Sequence, residues 1–156
     1  MKLCLFLVGE TDDAELKGAI ARYVKRLDHY CTFETEVLKA PKQFKKLAQA
    51  ELKIAEGKLI LDSLTAQDFL VLLDEKGTEF GSIAFSDKLQ KWLNAGHRRI
   101  VFLVGGAFGF SDEVYQRANF KLGLSKMTLT HQMVRLFFTE QLYRAFTILK
   151  NEKYHH

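Results

Sequence analysis

Ile100-Val101-Phe102-Leu103-Val104-Gly105-Gly106-Ala107-Phe108-Gly109-Phe110-Ser111-Asp112 decides the fold. The apolar run from Ile100 to Val104 has no polar side to offer water, so it reads as a strand covered on both faces, the habit of parallel sheets. Glycines follow it directly, and Ser111-Asp112 supplies the side-chain oxygens that start a helix. A buried strand, a glycine turn and a helix, in that order, form one unit of an α/β sheet.

The same grammar extends in both directions. Leu3 to Val8 is a second covered run, Asp12 or Asp13 can cap the next helix, and Leu16, Ile20, Tyr23, Val24 and Leu27 recur at helical spacing. Cys31 to Leu38 alternates as a strand and closes at Ala40-Pro41; a charged helical stretch runs from Lys42 to about Leu64. Phe69 to Leu73 predicts a further strand ending in a polar turn at Asp74-Glu75-Lys76-Gly77, and Ser86 is placed to cap a helix through Asn94 that stops at Ala95-Gly96. Downstream, Phe120 to Leu124 is a short fifth strand, His131 to about Lys150 one long helix, and Glu152 to His156 a tail. The expectation is an α/β fold, a mostly parallel sheet with helices on both faces, built as a single domain over 1–156.

Composition narrows the function classes. Apolar residues at 47% and charged ones at 27% match a globular core and exclude disorder, collagen-like repeats and coiled coil. The longest uncharged run, Ile100 to Ser111, falls short of the roughly 18 apolar residues of a membrane span. Met1 to Val8 meets Gly9-Glu10 and further acids with no small-residue cleavage site, so it reads as a strand and not a leader. Cys4 and Cys31 lie in apolar contexts, and neither they nor the histidines have metal-ligand spacing; a reducing cytoplasm and no metal are expected. A net charge of +4 permits a phosphate-bearing partner without requiring one.

Three segments could carry chemistry. Glycines at the carboxyl end of a strand let backbone approach a ligand, but Gly105-Gly106-x-x-Gly109 is not the dinucleotide fingerprint; a tight strand-to-helix turn explains it equally well. The loop Leu124-Ser125-Lys126-Met127-Thr128-Leu129-Thr130-His131 holds no catalytic acid; main-chain groups flanked by apolar side chains suit an adenine, while the plain alternative is a connector with Thr130 as helix cap. On the last helix, Val134, Phe137, Phe138, Gln141, Leu142, Ala145, Phe146 and Leu149 form one stripe, and Met133, Leu136, Tyr143 and Ile148 widen it beyond what one face buries, which favours a homodimer. Arg135 and Arg144 within that helix either snorkel or serve a site. Lys39, Lys42, Lys45, Lys46, Lys53 and His97-Arg98-Arg99 are possible phosphate contacts, though charge runs are usually solvated faces.

Taken in order, Leu73-Asp74-Glu75-Lys76-Gly77, Gly105-Gly106-Ala107-Phe108-Gly109, Leu124 through Arg135, Glu140-Gln141-Leu142-Tyr143-Arg144-Ala145-Phe146 and the closing Tyr154-His155 resemble the RlmH family. These are bacterial large-subunit (23S) ribosomal RNA pseudouridine N3-methyltransferases of the SPOUT superfamily. The chain departs from the family pattern at Thr130, where proline is usual, at Phe108, where an acid or Asn is usual, and at His156, where a basic residue is usual. The resemblance implies a SPOUT-type fold with a C-terminal trefoil knot and S-adenosyl-L-methionine as cofactor, held by Leu73, Gly105, Leu124, Ser125, Lys126, Met127, Thr128 and Leu129. Methylating N3 requires an acceptor for its proton or a donor to the flanking carbonyl oxygens, and Tyr154, His155 and Arg144 are the candidate catalytic groups, with His131 and Arg135 as candidate substrate-binding ones. The resemblance further implies a cytoplasmic homodimer whose partner is the assembled ribosome, with no membrane and no metal. A non-catalytic RNA- or ribosome-binding module of the same fold is the competing reading. A small nucleotide- or flavin-binding protein would need a phosphate site at the first turn, where Gly9-Glu10-Thr11-Asp12 offers acids.

Overall fold

Five strands, β1 (Lys2–Val8), β2 (Thr32–Leu38), β3 (Phe69–Glu79), β4 (Arg99–Val104) and β5 (Phe120–Gly123), form one sheet in the order β2-β1-β4-β3-β5 in a computed structural model describing residues 1–156. All four pairings are parallel. The helices are α1 (Ala14–Leu27), α2 (Gln49–Asp62), α3 (Ser82–Asn94), α4 (Asp112–Arg117) and α5 (Met133–Leu149).

The continuous apolar runs serve two cores at once. Leu3, Leu5 and Leu7 of β1 join Ile100, Phe102 and Val104 of β4 on one face, under α1, α3 and α5. The intervening Cys4, Phe6 and Val8, with Val101 and Leu103, face the other side, where Ile60 of α2 and Val114 of α4 cover them. A strand with period-two side chains can be apolar at every position only if both faces are roofed, and here both are.

Several boundaries differ from expectation for local physical reasons. Asp13 is the cap of α1, accepting from the N–H groups of Glu15 and Leu16. The expected helix from Lys42 is a 3-10 turn over Lys42–Lys46 and then α2, separated by extended backbone at Leu47. Helix α3 starts five residues earlier than expected, after Gly81 in place of Ser86; Ser86 is fully buried within it and donates to the Ile83 carbonyl at 2.6 Å. A hydroxyl satisfied by the preceding turn is compatible with mid-helix, so its capping signal misleads.

The expected turn at Asp74–Gly77 lies inside β3. After Leu73 pairs with Leu122, the register jumps and Thr78 pairs with Leu122 again, so the polar residues form a bulge, not a chain reversal. Gly77 is needed because a Cβ there would stand 2.6 Å from the Gly123 nitrogen and the Leu122 carbonyl carbon. The bulge keeps the acids of β3 at the carboxyl edge of the sheet, where the loops after β4 and β5 meet.

Candidate functional site

A pocket of about 570 Å³ opens at this carboxyl edge. Its floor is Leu73 of β3 and Val104 of β4; the turn Gly105–Phe110 forms one wall, and Leu124, Ser125, Met127, Thr128, Leu129 and His131 form the opposite one. Asp74, Glu75 and Lys76 of β3, Tyr115 of α4, Val134 of α5, and Gln49 and Lys53 of α2 complete the lining.

The glycine turn is built by close approach. Gly109 has φ +81° and donates to the Gly106 carbonyl at 3.3 Å, closing the turn with a backbone geometry that side chains disfavour. A Cβ on Gly105 would come within 2.8 Å of the Phe110 ring, and one on Gly106 within 2.5 Å of the Glu56 carboxylate. Gly105 is therefore required by packing against the buried Phe110 ring, whereas a side chain at Gly106 would displace the Glu56 carboxylate. Glu56, half-buried, has its carboxyl pushed above the ordinary range by that burial.

The opposite wall is held by short side chains. The Ser125 hydroxyl accepts from the Met127 N–H at 2.9 Å, and the Thr128 hydroxyl donates to Glu75 at 3.2 Å, tying the loop to the bulge of β3. Thr130 accepts from the Met133 N–H at 3.1 Å at the entry to α5. Met127 stands 79% exposed, so nothing within the chain covers it. Lys126 is exposed and is not among the lining side chains. Across the pocket, Tyr115 donates its hydroxyl to Asp74. Burial first, and then that carboxylate, push the Tyr115 hydroxyl well above its ordinary value, so it stays a phenol.

Arg135 occupies a different place from the one expected of a substrate contact. It is fully buried, donating to the carbonyls of His131, Val8 and Gly9 and to the Thr11 hydroxyl at 2.9 to 3.1 Å. Burial lowers its proton affinity, opposed by Asp12 and Glu10. A guanidinium enclosed this way has its donors committed to the chain's own oxygens; it welds the start of α5 to the end of β1. Gln132 adds to the weld, accepting from the Asp12 N–H and donating to the Glu10 carbonyl.

Arg144, Tyr154 and His155 are brought together, but away from the pocket. Arg144 donates to Glu140 at 2.6 Å and lies 3.3 Å from His155 Nδ1; Tyr154 donates to Glu140 at 2.9 Å and sits under the guanidinium at 4.7 Å. From Val134, which lines the pocket, to Arg144 is ten helical residues, about 15 Å along the axis. Burial, then hydrogen bonds with Tyr23 and Glu140, push the Tyr154 hydroxyl well above its ordinary value. Sequence reasoning missed Glu140 as the organiser, although a Glu four residues before an Arg on a helix is a recognisable pair. Tyr115 and Asp74 carried no such signal, because they lie 41 residues apart and only the fold brings them together.

A family model described as "Predicted SPOUT methyltransferase" matches residues 1–155. Proteins named ribosomal RNA large subunit methyltransferase H are similar over the full chain. That of Cytophaga hutchinsonii is 55% identical, covering all of both chains. Those of Christiangramia forsetii and Parabacteroides distasonis are 54% and 52% identical, over all of this chain and 99% of theirs. With its five parallel strands, its helices on both faces and this match across nearly every residue, the chain belongs to the SPOUT methyltransferase family.

Proposed function

We propose that this chain uses S-adenosyl-L-methionine to methylate N3 of a pseudouridine in 23S ribosomal RNA, on the assembled ribosome. The observation that carries the cofactor assignment is the pocket itself: a 570 Å³ cleft at the carboxyl edge of a parallel sheet, walled by leucines and loop backbone. The residues fit the group. Leu73, Leu124 and Leu129 offer apolar faces for adenine, the backbone of Leu124–Leu129 offers its polar edges, and Gly105 leaves the wall free of a side chain. Asp74 and Glu75 place carboxylates within reach of a cationic group, beside Lys53 and Lys76 in the same lining. When bound, S-adenosyl-L-methionine supplies an electrophilic methyl on a sulfonium centre.

The loop enclosing this pocket is also where we place the trefoil knot. The segment after β4 crosses β3 to reach edge strand β5, and the segment after β5 returns across the same edge to β1, where Gln132 and Arg135 fasten it.

The remaining chemistry is positioning and charge. Holding the base nitrogen in line with the methyl can account for about 7 to 11 kcal/mol of barrier. As N3 gives up its proton to solvent, negative charge develops on the flanking carbonyl oxygens and calls for hydrogen-bond donors. The tail cluster is suited to that. Arg144 can only donate, so His155 Nδ1 accepts and its ring proton is assigned to Nε2, which is left as a donor. His131 orients the pocket loop, and Arg135 acts beneath it as a positioning residue.

Because the cluster and the pocket lie apart in one chain, we propose a homodimer in which the tail of one copy serves the pocket of the other. Half-exposed Leu136, Phe137, Tyr143 and Ile148 and exposed Met133 on α5 support this reading. Mass spectrometry of ribosomal RNA from cells with and without the gene tests the function; loss of one methyl from a pseudouridine is expected. Calorimetry separates the enzyme from a non-catalytic module: S-adenosyl-L-methionine binds the wild type and not Gly105→Leu, whereas a module binds neither way.

A further inference from the structure

Positive charge is concentrated in one segment. From Lys39 to Lys53, Lys39, Lys42, Lys45, Lys46 and Lys53 oppose a single acid, Glu51, for a balance of +4. That equals the formal charge of the whole chain, so the other 141 residues cancel, 18 basic against 18 acidic. Like charges this dense repel one another, and a neutral sequence would fold as readily.

The fold delivers this charge to the pocket. The segment leaves the carboxyl end of β2, forms the 3-10 turn over Lys42–Lys46 and enters α2, whose Gln49 and Lys53 line the pocket. Half-buried Phe44 and Leu47 anchor the turn, while Lys39, Lys42, Lys45 and Lys46 are exposed. Residues three apart in a 3-10 turn share a side, so Lys42 and Lys45 stand together. No lysine of the strip forms an ion pair; the pairs in the structure use Lys2, Lys58, Arg99 and Arg144.

We propose that the strip from Lys39 to Lys53 grips the phosphate backbone of the ribosomal RNA beside the pocket mouth. The proposal rests on the methyltransferase reading above. A row of unpaired, flexible point charges suits a polyanion, which carries a phosphate at every residue, better than a protein surface with scattered acids. With the rest of the chain electrically balanced, this strip would set most of the long-range attraction for RNA.

The test is steady-state methylation of purified ribosomes at several salt concentrations by wild type and by a triple variant, Lys42→Gln with Lys45→Gln and Lys46→Gln. Melting temperature and S-adenosyl-L-methionine affinity are measured beside it and should not move. The variant should raise KM for ribosomes about tenfold or more and leave kcat at saturation unchanged. Its plot of log kcat/KM against log salt should flatten by about 2, at roughly 0.7 for each phosphate no longer neutralised. Arginine at the same three positions should restore both. An unchanged KM and slope would overturn the proposal while leaving the methyltransferase reading intact. A wild type that methylates no ribosome would take both down. A photo-cross-linking residue in place of Lys45 should attach to ribosomal RNA; attachment to a ribosomal protein instead also overturns it.

Discussion

At the amino edge of the sheet, Arg99 donates from Nε to Asp68 at 2.7 Å and again through Nη2, and Arg117 donates to the carbonyls of Thr65 and Asp68 at 2.9 Å. Asn119 exchanges hydrogen bonds with Leu70 on the neighbouring strand. At the carboxyl edge the pocket is walled by glycines, an exposed methionine and a loop held to β3 by one hydroxyl. One edge satisfies its charged groups internally; the other keeps backbone, carboxylates and apolar side chains available. Parallel strands make this division possible, because every strand ends on the same side and the helices return the chain on the other.

Breaking the amino edge should bring the largest energetic change with the least effect on chemistry. Asp68→Ala leaves Arg99 partly buried and unpaired, which should cost about 3–5 kcal/mol of stability. Denaturant unfolding should show that loss, and kcat on ribosomes should stay at the wild-type value. The pH dependence has a definite sign. Burial pushes the Asp68 carboxyl up, but Arg99 and the Thr65 N–H outweigh it and hold it below its ordinary value. Its contribution is therefore complete above the unfolded carboxylate value near 4 and lost as pH falls through the lower folded one. The gap between wild type and variant should narrow as pH falls below that unfolded value.

Next in size is the tail. His155→Ala should slow single-turnover methyl transfer about a hundredfold, close to 2.7 kcal/mol of transition-state stabilisation, with cofactor affinity unchanged. A wild-type rate would remove His155 from the reaction. Smaller still is the hydroxyl latch at the carboxyl edge. Thr128→Val removes the bond to Glu75, and a weakening of S-adenosyl-L-methionine binding by about threefold is expected by calorimetry, within the range of one hydrogen bond.

The smallest effect carries the opposite sign. Burial holds the Glu56 carboxyl above its ordinary value, so its ionised form destabilises the fold once pH exceeds the unfolded value. Glu56→Gln should melt higher than wild type at neutral pH, and the advantage should vanish in acid. An advantage that persists at low pH would show that packing against Gly106, and not charge, is responsible.

Much of this contrast was legible in the residues, and the parts that were not share a cause. The covered runs at Leu3–Val8 and Ile100–Val104 announce a parallel sheet because their composition excludes any exposed face. The loop after β5 holds no catalytic acid, so its backbone and apolar side chains draw attention, and most of it does line the pocket. Asp74–Gly77 read as a turn because turn propensity is local, whereas β5 arriving alongside makes the same residues a bulge. Arg135 read as a substrate contact because a charge on an apolar helix signals function, whereas the carbonyls that claim it lie more than a hundred residues earlier.

The chain's order of side chains thus determined its elements, its two-sided core and the family to which it belongs, since these follow from periodicity and from motifs of adjacent residues. Tertiary structure alone decided which groups face the pocket, that Arg135 is a weld, that Tyr154 joins the Glu140–Arg144 pair, and that the lysine strip ends at the pocket mouth. Those outcomes depend on which strand lies beside which, and strand order is set by packing between segments far apart in sequence, about which local pattern is silent.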